Sequence, residues 1–322
     1  MCAAMKVLLT FDVEVWCNGW NALDQVFPSS FERYVYGRSA QGDYALPKTL
    51  EILNQHGLHG VFFVEPLFAA RFGQQYLDTI VQMILAAGQE VQLHLHPEWT
   101  DEITTALIPN NQVKRQHLSY YDLDEQTALI AHGKKMLLEA GAEPITTFRA
   151  GSFAANRDTF LALQRNGIHL DSSLNRFYPI SGMDMRDTHN LLSPLFISGV
   201  HSYPVTVFRD GFGREKPAQV SGCSFTELRS AMLNGWHGGQ EMFVIVSHNF
   251  ELLKPDSALP DAIVVRRFEQ LCAFLGAQQQ RLPTVSYRDC KPVLTEPPRL
   301  AMPRASTLAT TRRYAEQLLR RL

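Results

Sequence analysis

Short apolar runs rich in β-branched and aromatic residues recur along the chain, and longer amphipathic segments separate them. Such runs are typical of buried strands, whereas apolar residues spaced three and four positions apart are typical of helices. Strand and helix alternate almost throughout, which predicts a parallel sheet covered by helices. We predict strands at 6–11, 60–65, 90–95, 145–150, 168–170, 201–208, 242–246 and 284–287, and helices at 47–57, 77–85, 124–140, 156–167, 225–233 and 262–275.

Three stretches interrupt this alternation. Residues 15–45 carry many aromatic side chains without a clear period, so we predict a long irregular loop that is ordered and functional. Residues 100–122 are polar, and the pattern of 174–200 predicts no element.

The C-terminal stretch 299–322 has apolar positions at helical spacing, which predicts a helix packed on the rest of the protein or on a partner subunit. Four arginines in the same stretch leave a second interpretation open, a helix that binds an anionic membrane surface. These arginines are Arg312, Arg313, Arg320 and Arg321.

Polar side chains stand at the carboxyl ends of five predicted strands. In an open sheet with strands about 4.8 Å apart, these ends would spread over roughly 25 Å. Closing the sheet into a barrel brings them to one mouth, where barrel active sites lie. We therefore predict a (β/α) barrel with seven or eight irregular strands, and a doubly wound open sheet is the alternative. The side chains are Asp12 and Glu14, His94 and His96, Arg149, Asp171, and His248.

His94 and His96 are two residues apart on a predicted strand, so they project from the same face. Buried imidazoles need partners, which are either backbone and carboxylate groups or a metal ion. With Glu14 they make the two-histidine, one-carboxylate set of a catalytic zinc-type site, a set that non-haem iron also uses. Asp12 would then be a general base, and a capping or turn role is its other interpretation.

Two interpretations also remain for the three other polar residues. Arg149 and Asp171 would form a salt bridge with each other, or Arg149 would pair with Asp12 while Asp171 orients the ring of His248. His248 would be capped by backbone alone, or it would be the general acid opposite the base.

The composition narrows the class of protein. The chain has 322 residues, 45% hydrophobic and 19% charged, which suits a globular protein with one large domain or two ordinary ones. A net charge of −2 gives no positive electrostatic field that would attract nucleic acid, and no apolar run reaches the roughly 18 residues of a membrane span. Five scattered cysteines and an N-terminus that meets charge early predict a cytoplasmic protein with reduced thiols.

Five short motifs, in chain order, resemble those of the polysaccharide deacetylases, the NodB-homology group also called carbohydrate esterase family four. The resemblance spans about residues 6–290. It implies a distorted (β/α) barrel, a divalent metal, usually zinc, and hydrolysis of an N-acetyl group on a sugar. We therefore expect a deacetylase-like barrel at 1–290 and an extension with a helix at 291–322. The motifs are TFDVE at 10–14, QLHLHPEW at 92–99, FRAGS at 148–152, LDSSL at 170–174 and VSH at 246–248.

The chain departs from the family pattern at three places. The usual adjacent Asp-Asp is here Asp12-Val13-Glu14, and the usual second histidine falls on Glu98, so either His96 or Glu98 is the third metal ligand. A glycine and Ser152 replace the usual Pro-Tyr, and a backbone N–H near Ser152 is the expected oxyanion donor. Position by position, Asp12 matches the base, Glu14 and His94 metal ligands, Arg149 the partner of the base, Asp171 the partner of the histidine, and His248 the acid.

Three functions remain open. The first is deacetylation of an N-acylated sugar or glycan precursor, with Trp16 and Trp20 as an aromatic wall for the sugar ring. The second is hydrolysis of a cyclic amide or ureide, as in the metal-independent allantoinase branch, and a tightly held metal would argue against it. The third is a non-catalytic glycan-binding barrel, against which the presence of both Asp12 and His248 argues. Each implies a small-molecule or glycan ligand, no nucleic acid is expected, and a homo-oligomer is left open.

Overall fold

The computed structural model describes residues 3–109, 111–178, 191–290 and 300–320. These residues divide into two compact units. The first unit contains the described residues up to Gly60, Val205–Ser286 and the described residues after 299. The second contains the described residues of Val61–Pro204 and those that follow from Tyr287.

Strands and helices alternate along the described chain much as the apolar pattern predicted. The strands are β1 (Lys6–Val13), β2 (Arg38–Ser39), β3 (Gly42–Asp43), β4 (Gly60–Val64), β5 (Glu90–Leu95), β6 (Thr147–Ala150), β7 (Leu170–Asp171), β8 (Leu195–Ile197), β9 (Val200–Ser202), β10 (Val207–Arg209), β11 (Glu215–Pro217) and β12 (Met242–His248). The α-helices are α1 (Leu23–Phe31), α2 (Leu46–Gln55), α3 (Leu67–Phe72), α4 (Gln74–Ala86), α5 (Leu123–Glu139), α6 (Arg157–Arg165), α7 (Phe225–His237), α8 (Ala262–Ala277) and α9 (Thr307–Leu319).

Two long parallel strands form the centre of the first unit. β1 pairs with β12 from Lys6 opposite Met242 to Asp12 opposite His248. All of β1 after its first residue is buried, which is typical of parallel strands that helices cover. Helix α8 lies over this pair, where its Phe268 meets Phe11 of β1 edge-on with ring centroids 5.8 Å apart.

The second unit contains six neighbouring strands of a sheet, in the order β4–β5–β6–β7–β9–β8. Its first five strands are parallel, and β8 is antiparallel to β9 at the edge. The register sets His94 opposite Arg149 and Phe148 opposite Asp171. The carboxyl ends of neighbouring strands thus bring the polar residues of this unit together, as the sequence predicted.

Some element predictions are wrong in detail. The stretch 15–45 is not irregular throughout, because α1 lies within it and a π-helical turn follows at Glu32–Tyr36. Phe27 and Phe31 are four residues apart on that helix and pack with ring centroids 5.9 Å apart, a spacing that the other aromatic residues obscured. The predicted strand 201–208 is interrupted because Pro204, which has no N–H, stands between β9 and β10.

The predicted strand at 284–287 is reduced to a single bridge. Thr284 is a parallel partner of Val7, whose N–H donates to the carbonyl of Pro283 at 2.9 Å. A short 3₁₀ turn follows at Tyr287–Asp289. The stretch 174–200, for which the sequence predicted no element, contributes β8, and its residues 179–190 lie outside the described residues.

The C-terminal helix is present as α9, but a different face from the predicted one is buried. Leu308 and Leu318 are exposed, whereas Arg313 is buried. Arg313 pairs with Asp210 at 3.0 Å and with Glu227 at 2.9 Å within the first unit. Hydrophobic periodicity could not find this face because ion pairs, rather than leucines, hold the helix.

The same ion pairs decide between the two interpretations of the C-terminal arginines. Arg320 pairs with Asp261 and Arg312 with Glu316, while Arg321 lies outside the described residues. Arginines that are paired within the chain favour a packed helix over a membrane-binding one. Among the described residues, none of the helices has the length and apolar character needed to cross a membrane.

Candidate active site

The two central strands of the first unit bring Asp12 and His248 side by side. The residues are direct partners in the β1–β12 pair, and the N–H of Asn249 donates to the carbonyl of Asp12 at 3.1 Å. Asp12 is 3% exposed, whereas a quarter of the His248 side chain is exposed. The pair therefore joins a buried carboxylate to an imidazole that a solvent molecule or substrate can reach.

The ring of His248 is held by Glu251. The ring Nδ1 lies 2.8 Å from Glu251 Oε1, which also accepts from Gln219 Nε2 at 2.6 Å. Glu251 Oε2 accepts from the N–H of Ser221 at 2.9 Å and from Ser247 Oγ at 3.1 Å. A carboxylate accepts and cannot donate when ionised, so Nδ1 carries the proton and Nε2 becomes the atom that exchanges protons with a substrate.

Glu251 is a carboxylate that can orient the His248 ring, because it is hydrogen-bonded to the ring Nδ1. The turn after β12 explains this contact, since it brings a residue only three positions later back to the ring. The expectation that Asp171 orients the same ring stays a prediction.

The charges around His248 favour its protonated form. Burial alone lowers the pKa of the imidazole, but the hydrogen bond to Glu251 and the negative charges of Glu14, Glu251 and Asp12 outweigh burial and raise the pKa to about 9. Burial raises the pKa of the Glu251 carboxyl, but the bond and charge of His248 outweigh it, so that pKa lies below its ordinary value. At neutral pH the two side chains form an imidazolium–carboxylate pair.

Glu14 completes a compact group with Asp12 and His248. One possible ligand atom from each residue lies within 4.8 Å of the others, a spacing that suits a divalent cation. The main chain of Glu14 is clamped by Asn249, whose Oδ1 accepts from the Glu14 N–H at 3.1 Å and whose Nδ2 donates to the Glu14 carbonyl at 3.2 Å. The side chain accepts a hydrogen bond from the indole of Trp16 at 2.6 Å.

In the second unit, His94 and His96 lie side by side at the end of β5. Their ring centroids are 4.8 Å apart, and both residues are buried, as the strand period predicted. His94 Nδ1 is 2.8 Å from the carbonyl of Arg149, and His96 Nδ1 is 3.1 Å from Glu98 Oε1. Because both of those oxygens are acceptors, each Nδ1 is the donor, and Nε2 is the nitrogen through which either neutral ring would bind a metal.

Gly151 leaves room for the His96 ring. A Cβ added to Gly151 would lie 2.7 Å from two ring atoms of His96, closer than real contacts allow. The next two residues, Ser152 and Phe153, have φ of 54° and 56°, which L-residues with side chains rarely adopt. Strain of this kind is typical of functional sites. The role expected of a backbone N–H near Ser152 as the oxyanion donor stays a prediction.

Arg149 and Asp171 belong to a buried polar network of the second unit. Arg149 donates from Nε to the carbonyl of Ser172 at 3.2 Å, and its guanidinium lies 4.3 Å from the ring centre of Phe63. Asp171 accepts from Ser202 Oγ at 2.6 Å, and burial raises the pKa of Asp171 to about 6 despite such bonds. The pairing of Arg149 with Asp12 stays a prediction.

Three polar residues near the candidate site, Glu251, Asn249 and Glu65, were not identified from the sequence. Glu251 and Asn249 follow the VSH motif directly, so a second polar cluster after the strand was the available signal. Glu65, at the end of β4, accepts from the N–H of Leu67 at 2.7 Å and caps α3. Burial raises the pKa of Glu65 to about 8, because the effect of burial is larger than the opposing effect of the nearby charge of His96.

Glu251→Gln is expected to lower the pKa of His248. The substitution removes the negative charge of Glu251, one of the influences that raise this pKa to about 9, while burial, which lowers the pKa, remains. A pH titration of the His248 ring protons by NMR, in metal-free protein, measures this shift. Asp171→Asn is the control: a shift in that variant, with none in Glu251→Gln, would assign the orienting role to Asp171.

Neither a protein-family model nor a curated protein sequence matches the chain. Among solved structures, the chain is similar to a protein of Mycobacterium smegmatis assigned as a polysaccharide deacetylase, with 20% identity and a TM-score of 0.55 over 92% of this chain and 96% of that one. It is also similar to the 4-alpha-glucanotransferase of Thermococcus litoralis, with 11% identity and a TM-score of 0.55 over 89% of this chain and 40% of that one. A family 4 carbohydrate esterase from Streptomyces lividans follows at 14% identity, with a TM-score of 0.43 over 92% of this chain and all of that one.

The similarity to the Mycobacterium smegmatis protein shows the fold. It confirms the predicted fold class, a distorted (β/α) barrel of the NodB-homology type, and it confirms the resemblance to polysaccharide deacetylases at the level of fold. The chain spans less than half of the glucanotransferase, which reaches the same TM-score under a different enzyme name. One fold therefore carries different chemistry, and the reaction must be argued from the site.

Proposed function

We propose that the protein hydrolyses an N-acyl amide, in particular an N-acetyl group, on a sugar or glycan precursor with the help of one divalent metal ion. The observation that carries this proposal is the grouping of Asp12, Glu14 and His248, in which a carboxylate lies beside an imidazole whose pKa is raised to about 9. Amide hydrolysis needs a base for water and an acid for the leaving amine, and this group contains a candidate for each.

The metal ligands in this proposal are Glu14, His94 and His96, and zinc is the expected ion. The donor chemistry fits, because both histidines are bonded through Nδ1 and a carboxylate completes the set. Glu98 supplies the outer carboxylate to His96, and its Oε2 is buried without a hydrogen-bond partner among the described residues. Glu98 therefore remains the alternative third ligand. When bound, the metal would polarise the amide carbonyl and acidify water.

The side chains of the protein move the protons. Asp12 accepts a proton from the attacking water, and the new C–O bond forms as the carbonyl oxygen gains negative charge. A backbone N–H near Ser152 stabilises that oxygen. His248 then gives the proton on Nε2 to the amine nitrogen as the C–N bond breaks, and Glu251 stabilises the imidazolium before this transfer. Arg149 is the electrostatic partner proposed for Asp12.

The substrate class follows from the same residues. The indoles of Trp16 and Trp20 are half-buried and lie 6.3 Å apart, so aromatic surface adjoins Glu14. Such surface suits the apolar face of a sugar ring, which supports an N-acylated sugar as substrate. We place the reaction in the cytoplasm, in accordance with the reduced cysteines expected from the sequence.

The test is release of free amine from N-acetyl sugars and short N-acetylated glycans by purified protein. We expect activity that a chelator removes and that added zinc restores. Ring opening of cyclic amides or ureides by chelated protein would support the allantoinase-like alternative instead. Glycan binding without amine release at any metal content would identify a binding module and contradict the proposal.

A further inference from the structure

We propose that Trp16 is a positioning residue that holds the Glu14 carboxylate for metal binding through its indole N–H. The inference rests on the proposed function, in which Glu14 is a metal ligand. It assigns Trp16 a polar task that differs from stacking against a sugar.

The hydrogen bond has a defined direction. Trp16 Nε1 lies 2.6 Å from Glu14 Oε2, and an indole N–H can donate but never accept. Glu14 must therefore accept, whatever the placement of hydrogen atoms. The bond is short and charge-assisted, which makes it one of the stronger side-chain hydrogen bonds available here.

A glutamate ligand needs such an anchor more than an aspartate does. Its side chain has one more rotatable bond, so more rotamer freedom is lost when it is fixed at a metal. Asn249 clamps both main-chain polar groups of Glu14 but touches neither carboxylate oxygen in those two bonds. The indole of Trp16 holds the carboxylate of Glu14, whose side-chain rotation these two main-chain bonds do not restrict.

The local chain makes the anchor rigid. Glu14 and Trp16 are two residues apart just after β1, and their hydrogen bond shows that the acid and the indole lie on one side of the chain. Trp20 packs edge-on against Trp16 at an interplanar angle of 90°. Aromatic side chains have only two rotatable bonds, and this contact restricts them further.

The test compares Trp16→Phe with Trp236→Phe. Phenylalanine keeps most of the ring and removes only the donor. Trp236 is a matched control because its Nε1 also makes a hydrogen bond, to the carbonyl of Ala3 at 2.8 Å, in the same unit. Zinc affinity is measured by competition with a chromophoric chelator, with circular dichroism as the check on folding. We expect zinc to bind about 10–100-fold more weakly to Trp16→Phe, the usual effect of losing an outer-shell partner, and with unchanged affinity to Trp236→Phe.

A double-mutant cycle identifies the acid as the group through which Trp16 acts. In a Glu14→Asp background the carboxylate is one methylene shorter and is expected to lose the bond to the indole, so adding Trp16→Phe should weaken zinc binding no further. If Trp16→Phe proves unfolded, a zinc titration of a chain with Trp20, Trp99 and Trp236 replaced by Phe takes its place, because Trp16 is then the one emitting tryptophan. A zinc-dependent change in its emission is expected, and an unchanged emission on stoichiometric zinc binding overturns the inference.

The outcomes separate this inference from the function on which it rests. Zinc binding by Trp16→Phe as tight as wild type overturns the inference, and it does so even if the Michaelis constant rises, because that result would identify a substrate wall. An equal loss in both backgrounds also overturns it. Wild-type protein that binds no stoichiometric zinc contradicts the proposed function itself.

Discussion

His94→Ala is expected to cost the protein its stoichiometric metal and with it the amidase activity. The strand holds this imidazole through the bond from Nδ1 to the Arg149 carbonyl, so the ring is directed before any metal arrives. Losing one of three protein ligands should weaken metal binding by more than the roughly 10–100-fold that outer-shell partners contribute. Elemental analysis after dialysis against metal-free buffer measures the loss, and activity should fall by more than about a hundredfold.

The exposed residue His169 offers the matched control. It lies just before β7 in the same unit, and His169→Ala removes an imidazole without touching the pair on β5. We expect this variant to keep its full metal content. Retention of one equivalent of metal by His94→Ala would rule out His94 as a ligand.

His96→Ala decides between the two candidates for the third ligand. His96 is bonded to Glu98 Oε1, and Glu98 Oε2 has no hydrogen-bond partner among the described residues. Loss of metal in His96→Ala with retention in Glu98→Gln would make His96 the ligand and Glu98 its support. The reverse result would exchange the two roles.

Much of the fold could be predicted because most strands and helices have the spacing of apolar residues that is typical of their type. The run from Val7 to Phe11 has no polar interruption except Thr10, and it is a buried strand. The pairing of His94 with His96 followed from the two-residue repeat of a strand alone. Strand ends located Asp12 and His248, since the carboxyl ends of parallel neighbours meet at one edge.

The details that failed depend on contacts that periodicity does not encode. Glu251 binds His248 because the chain turns back after β12, and the apolar pattern does not show that this turn brings Glu251 to the ring. One interpretation of the C-terminal helix placed Arg313 at a membrane surface, yet Arg313 is buried and pairs with Asp210 and Glu227, which are distant in sequence. A charged residue can be buried when oppositely charged residues pair with it, and such pairs become visible only in the three-dimensional structure.

The two proton-transfer residues should be separable from the metal. General acid–base groups typically contribute about 10²–10⁴ in rate, or roughly 3–5 kcal/mol of barrier. Asp12→Asn removes the proposed base with almost no change in shape, and His248→Ala removes the proposed acid. Each variant is expected to lower kcat by at least about a hundredfold while the metal content stays at that of wild type.

The pH dependence identifies which variant lost the acid. His248 must be protonated to donate, and its acidic neighbours raise its pKa. Wild-type activity is therefore expected to fall on the alkaline side, as the ring loses its proton. His248→Ala should lack this alkaline limb, because no imidazole remains to lose its proton, whereas Asp12→Asn should retain it. A limb that persists in His248→Ala, with a rate loss below about tenfold, would give His248 a structural role.

Metal analysis of the same samples tests a rival geometry that the structure itself raises. Asp12, Glu14 and His248 lie close enough together to bind a cation on their own. If His248→Ala or Asp12→Asn loses the metal while His94→Ala keeps it, the ion lies within this group. In that case the proton donor for the leaving amine must be another residue, and the raised pKa of His248 would reflect only its acidic neighbours.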